Sequence, residues 1–174
     1  STPRDFAGLG RELASEGMTV STIGLGTGYN EDLMAQLAIA ADGSHKFVAE
    51  PADLAQFFNR EFDDAQNVVA QEIEIHIDCV PGVTPMKSLG RDAKVSGSRI
   101  SYKVNQIIGG TDQVLIAELD VPAALANDQR QLAEVKVAYR ATNGEPGAPI
   151  AQSVQARFSQ SDSDIKAGID ADVM

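Results

Sequence analysis

The chain has 174 residues, 43% of them hydrophobic and 22% charged, which suits one large domain or two small ones and excludes global disorder. Its 25 acidic residues against 14 Lys and Arg give a formal net charge of −11, a field that repels phosphate backbones and disfavours nucleic acid as a partner. Cys79 is the single cysteine, so an internal disulfide and a cysteine-rich zinc site are both excluded, and no apolar run approaches the ~20 residues of a membrane span.

In chain order, Thr2 is placed to cap a helix with Pro3 at its first position, where a missing N–H is harmless. Phe6, Leu9 and Leu13 share one face of it and Gly17 ends it. Met18 to Leu25 is a β-rich run without polar alternation, the pattern of a strand covered on both sides. Asn30 caps a second helix whose buried side is expected at Leu33, Leu37 and Ala41, with Glu31 and Asp32 at its positive end, and Asp42-Gly43 stops it. Lys46 to Ala49 is a second short strand, and Pro51 opens a third helix with the stripe Leu54, Phe57, Phe58, Phe62 and Ala65, expected to be core. Helix, strand, helix, strand, helix implies parallel strands in an α/β layer.

After Asn67 the period becomes two. Ile73, Ile75, Ile77 and Cys79 alternate with Glu72, Glu74, His76 and Asp78. Further strands are read at Ile100 to Val104, Leu115 to Val121, Ala133 to Tyr139 and Ile150 to Phe158, with a weaker one near Val83 to Leu89. Turn signals separate them at Pro81-Gly82, Ser96-Gly97, Gly109-Gly110, Asn127-Asp128 and Asn143-Gly144, which suits a small antiparallel sandwich. The fold class is therefore α+β and multidomain: a partial α/β portion over residues 1–66, a β-sandwich over 67–160, and an acidic tail or the start of a further helix over 161–174. Charge divides with it, since residues 1–66 carry four basic and eleven acidic side chains (net −7) and the remainder ten and fourteen (net −4). The opening "STPRDF" and the closing "DIKAGIDADVM" read as parts of a longer protein.

The candidate sites are few. "VSTIGLGTGYNEDLM", Val20 to Met34, resembles a phosphate-binding turn, but no lysine lies in it, the Gly spacing misses the dinucleotide fingerprint, and Glu31 and Asp32 occupy the helix end an anion would want. Gly26, Thr27, Gly28, Tyr29 and Asn30 then read as a strand-to-helix corner that can form a binding-edge loop. Glu72, Glu74, His76 and Asp78 mimic a metal site, but strand residues two apart lie nearly 7 Å from one another; outward-facing Arg99, Ser101 and Lys103 offer ordinary cross-strand pairing instead. His45 and His76 lack a nucleophile and an orienting partner at recognisable spacing, so a hydrolase is the least favoured reading. Cys79 continues an apolar face and reads as a buried thiol.

Residues 5 to 66 resemble the last third of a bacterial von Willebrand factor A domain. The likeness is carried by Glu16-Gly17 before the strand, "VSTIGLG" followed by "YNEDLM", "ADG" before a short strand, and "PADL" opening the last helix. The segment from "VVAQEIEIHI" onward resembles what trails such domains in bacterial surface proteins, some of them likened to calcium-activated chloride channel regulators. The resemblance implies a doubly wound, mostly parallel sheet with a metal-ion-dependent adhesion site on its carboxyl edge, usually magnesium in an Asp-x-Ser-x-Ser loop. This sequence has no such loop, and "SDSDI" does not fit it. No family metal ligand is therefore placed on any residue here, and magnesium or another divalent cation is expected only in a full-length parent.

What the resemblance implies is a non-catalytic protein-interaction or adhesion module, extracytoplasmic or membrane-associated in its parent and soluble in itself, with an unknown protein ligand. The alternative is a regulatory subunit of a membrane-associated complex with a channel, transporter or ATPase partner. Two parallel strands without neighbours expose a sheet edge, which predicts a homo-oligomer, such as a dimer, through the incomplete sheet.

Overall fold

A computed structural model describes residues 3–26 and 28–168; the expected Thr2 cap and the end of the acidic tail lie outside them. The described chain is a mixed α/β protein with parallel and antiparallel sheets. It runs α1 (Pro3–Ser15), β1 (Thr22–Leu25), α2 (Glu31–Ala40), β2 (His45–Val48), a 3-10 turn (Pro51–Asp53) leading into α3 (Leu54–Gln66), then β3 (Val68–Cys79), β4 (Thr84–Leu89), β5 (Lys94–Ser96), β6 (Arg99–Ile108), β7 (Ile116–Asp120), β8 (Gln129–Arg140), β9 (Ile150–Arg157) and α4 (Asp162–Ala167). β1 and β2 pair in parallel, β4 pairs antiparallel with β7, and the order β5-β6-β3-β8-β9 makes a five-stranded sheet. Two compact units divide the chain. One holds the residues through Ile73 with Val104–Asp112 and Arg140–Glu145; the other holds Glu74–Lys103, Gln113–Tyr139 and the residues from Pro146 onward.

In the first unit, both α1 and α2 end in the same hydrogen-bonded stop. Gly17 is left-handed (φ 79), its N–H bonds the Ala14 carbonyl and the Met18 N–H bonds Leu13. At the end of α2, Asp42 takes the left-handed place (φ 56), its N–H bonding Ile39 and that of Gly43 bonding Ala38. A glycine would be cheaper there, but the Asp42 carboxylate accepts the Asn105 backbone N–H at 3.0 Å, and Asn105 in turn donates from Nδ2 to the Met18 carbonyl at 3.4 Å. The next residue must be glycine for another reason: a Cβ at Gly43 would collide with the Val20 carbonyl.

Packing in this unit departs from the periodicity in three places. The buried residues of α2 and its cap are Ala38 and Ala41, while Leu33 and Leu37 are half-buried. α1 and α2 pack closely, and a Cβ at Gly10 would lie 2.7 Å from the Leu37 carbonyl oxygen and from Ala40 Cβ. Small side chains therefore carry this contact, and the leucines flank it. The strand expected from Met18 begins only at Thr22, and Leu25 is half exposed; among the described residues β1 pairs with β2 alone. The expected core stripe of α3 is overturned. That helix has no buried residue: Leu54 and Phe57 are half-buried, and Phe58 and Phe62 are 59% and 67% exposed. Phe57 meets Phe58 edge-on at 6.1 Å.

β3 carries an irregularity that its alternating sequence hides. Buried Ala70 and Ile73 are three apart, and Glu72 between them is left-handed (φ 49). The phase of burial slips by one residue, as at a β-bulge. Arg140 reaches the bulge, donating from Nε to the Glu72 carboxylate at 2.8 Å and from Nη1 to the Gly144 carbonyl at 2.8 Å.

In the second unit, the outward faces of β3 and β6 meet as opposed pairs: Glu74 with Lys103 at 3.5 Å, His76 Nδ1 with Ser101 Oγ at 3.1 Å, and Asp78 with Arg99. Each pair keeps the same register, so the strands run antiparallel. The opposite faces bury Ile100, Tyr102 and Cys79, and the Tyr102 hydroxyl donates to the Ile116 carbonyl at 3.2 Å. β5, which the sequence reading missed, is a three-residue strand turned onto β6 through left-handed Gly97 (φ 59). Burial raises the Cys79 thiol above its ordinary range, and the charge of Asp78 raises it further. Among the described residues no helix is long and apolar enough to cross a membrane.

Candidate functional site

β1 and β2 run the same way, with Thr22 opposite His45 and Leu25 opposite Val48. Both strands therefore end at one carboxyl edge, where open α/β sheets present ligand-binding loops. The loop Gly26 to Asn30 leaves this edge. Gly26 is left-handed (φ 72), which turns the chain off β1, and its N–H reaches the Val48 carbonyl at 3.4 Å. Asn30 closes the loop as the cap of α2, its side chain accepting the Leu33 N–H at 3.1 Å. Gly28 is exposed, and a Cβ built on it would meet nothing within 4 Å beyond its chain neighbours. Thr27 lies outside the described residues.

Tyr29 turns back from the loop over the strands. A Cβ at Gly24 would occupy the Tyr29 ring, so that glycine is the seat of the tyrosine. The ring stacks on Phe47 at 6.3 Å with planes 16° apart, and lies 5.9 Å from the His45 ring. His45 bridges to the strand beside it: its Nδ1 is 2.8 Å from Thr22 Oγ1, which lies 3.0 Å from the Met34 carbonyl. That carbonyl can only accept, so the threonine hydroxyl donates to it and accepts from His45 Nδ1–H. Nε2 is left facing the Tyr29 hydroxyl at 3.5 Å, the outer limit of a hydrogen bond. Partial burial, and then the charge of Glu31, raise the Tyr29 phenol above its ordinary value, so it remains a neutral donor.

This cluster ties the loop to the sheet. The imidazole is held from Nδ1 by a threonine hydroxyl that itself donates to a helix carbonyl, which fixes the His45 ring against the strand. Sequence reasoning left His45 without partners. The signal it lacked was strand register: once Thr22 is set opposite His45 in a parallel pair, the two side chains share a face.

The described residues also do not fit a divalent-cation site on this edge. The Asn30 oxygen is used by the cap, and no group of three or more His, Cys, Asp or Glu lies together among the described residues. His76 and Asp78 are engaged elsewhere. Asp78 sits between Arg99 Nη2 at 3.0 Å and Lys136 Nζ at 3.3 Å. The hydrogen bond from Arg99, with a smaller contribution from Lys136, holds its carboxyl below the usual carboxylate range. A carboxylate neutralised by two cations is a poor metal ligand.

No protein-family profile matches the sequence, and no curated protein matches it. Solved structures do. A von Willebrand factor type A protein from Catenulispora acidiphila superposes with a TM-score of 0.74 over 99% of this chain at 14% identity, and the chain spans 42% of that protein's length. The type V pilus tip protein Mfa5 from Porphyromonas gingivalis, in a structure of its three N-terminal domains, gives a TM-score of 0.37 over 86% of this chain and 32% of its own, at 16% identity. The chain thus has the fold of the Catenulispora protein over nearly its whole length.

Proposed function

We propose that the chain is a non-catalytic protein-interaction module, the closing part of a von Willebrand factor A-type unit over residues 1–66 with an antiparallel β-sandwich over 67–160 that presents it. The observation that carries this reading is the loop Gly26–Asn30, fixed at both ends and open at Gly28, on the edge where parallel α/β sheets bind ligands. The fold shared with the Catenulispora protein supports it. The exposed Phe58, Phe62 and Leu25 support a larger doubly wound sheet, in which further elements cover them or a second copy pairs with the open strand edge. Adhesion at a cell surface, with any divalent cation held by residues of the larger unit, follows from the same reading.

The test places a photo-crosslinking residue at exposed Glu31, beside the loop, and in a second protein at exposed Asp112. A defined protein adduct from position 31 and not from position 112 is expected. Equal labelling from both positions, or none from position 31, overturns the proposal.

A further inference from the structure

The five-stranded sheet has two edges, and they differ. β5 is three residues long and carries Lys94, a short charged strand of the kind that discourages pairing. β9 is eight residues long, and from Ile150 to Ala156 it holds no charge and no proline. Every residue of β9 except Ala156 is exposed, and among the described residues it pairs only with β8.

The free side of this edge can be read residue by residue. The Phe158 N–H bonds the Asp128 carbonyl, and the Phe158 carbonyl accepts from Asn127, so both groups of Phe158 point toward β8. Backbone groups alternate along a strand. Those of Ile150, Gln152, Val154 and Ala156 therefore also point toward β8, and those of Ala151, Ser153, Gln155 and Arg157 point outward, without a strand partner among the described residues. One face of the strand is apolar as well. Ile150 lies opposite Val137, and Val154 opposite buried Ala133, so the core face of β8 continues onto two side chains that are 53% and 38% exposed.

We propose that a second copy of this chain adds to this edge, β9 pairing antiparallel with β9 about a two-fold axis. The strand suits its own reverse. When outward-facing residues oppose outward-facing residues about an axis near Ser153, the even-numbered residues of both copies share one face, and Ile150 and Val154 are covered by the partner strand. The only charge in the strand, Arg157, lies at its end, away from the axis and from its own counterpart. In a chain of net charge −11 this neutral edge brings two copies together with no like charges opposed. A strongly charged foreign strand would find no counter-charge there. The inference stands independently of the loop at Gly26–Asn30.

Sedimentation of the 174-residue chain at tens of micromolar is expected to give a species of twice the 18.4 kDa chain mass. Ser153→Pro removes an outward N–H and leaves the bonds to β8 in place; Val154→Lys sets like charges near the axis. Each is expected to abolish the dimer while far-UV circular dichroism stays that of the parent. Gln152→Pro, which removes an N–H bonded to β8, is expected instead to lower the unfolding temperature. A parent that is monomeric at these concentrations, or a dimer that persists in both folded variants, overturns the proposal.

Discussion

The α1–α2–β1 layer and the β3–β6 strands bury themselves by opposite means. The layer is closed by small residues: Ala38 and Ala41 are fully buried, and Gly10 and Gly43 let backbone approach backbone. The large apolar side chains of β1 and of the neighbouring β2 and α3, namely Leu25, Phe47, Phe58 and Phe62, stay substantially exposed. The strands do the reverse, and Tyr102, Ile73 and Ile100 are the largest fully buried side chains. An interior filled by large side chains loses stability when they are cut back, whereas one closed by backbone contact loses it when they are enlarged. Large apolar residues left outside mark surface held for something else.

This difference can be broken or sharpened by substitution. Ile100→Ala opens a cavity in the strand core and is expected to cost about 4 kcal/mol in denaturant unfolding; a cost under about 1 kcal/mol would remove the distinction. Gly43→Ala drives a methyl group into the Val20 carbonyl and is expected to cost about 2 kcal/mol, a sign opposite to the usual gain from replacing a flexible glycine. Asp78→Asn is expected to cost less and to depend on pH. The folded-state value of Asp78 is depressed, so its contribution is complete above the ordinary carboxylate range, about pH 4, and is lost as pH falls through the depressed value. Melting temperatures of parent and variant should therefore differ at neutral pH and converge below about pH 4. Phe62→Ser is expected to change stability by under about 0.5 kcal/mol, since the residue is 67% exposed; a loss of several times that would place it in a core.

Much of this was legible because it depends on local chemistry. Gly17, Asn30, Asp42-Gly43 and Pro51 mark helix ends through their own backbone preferences, and each acts near its expected place. The charged face of β3 was readable for a related reason: alternation puts Glu74, His76 and Asp78 on one side, and the next regular strand supplies Lys103, Ser101 and Arg99 in matching order. What failed depends on neighbours. The stripe on α3 has core spacing, but spacing says only that a face is apolar, not that anything meets it. The bulge at Glu72 is invisible because an acidic residue in an alternating strand looks ordinary; the partner of its side chain, Arg140, lies 68 residues away. The loop Gly26 to Asn30 was legible as a corner, while the reason Gly24 must be glycine needed the Tyr29 ring in place.

The central claim, that the open apex of this loop binds a protein, is tested most directly by Gly28→Arg combined with the crosslinker at Glu31. A Cβ at Gly28 meets nothing within 4 Å beyond its chain neighbours, so the unfolding midpoint is expected to stay within about 1 °C of the parent while the adduct disappears. An adduct of undiminished yield, carrying the arginine on an intact fold, would contradict it.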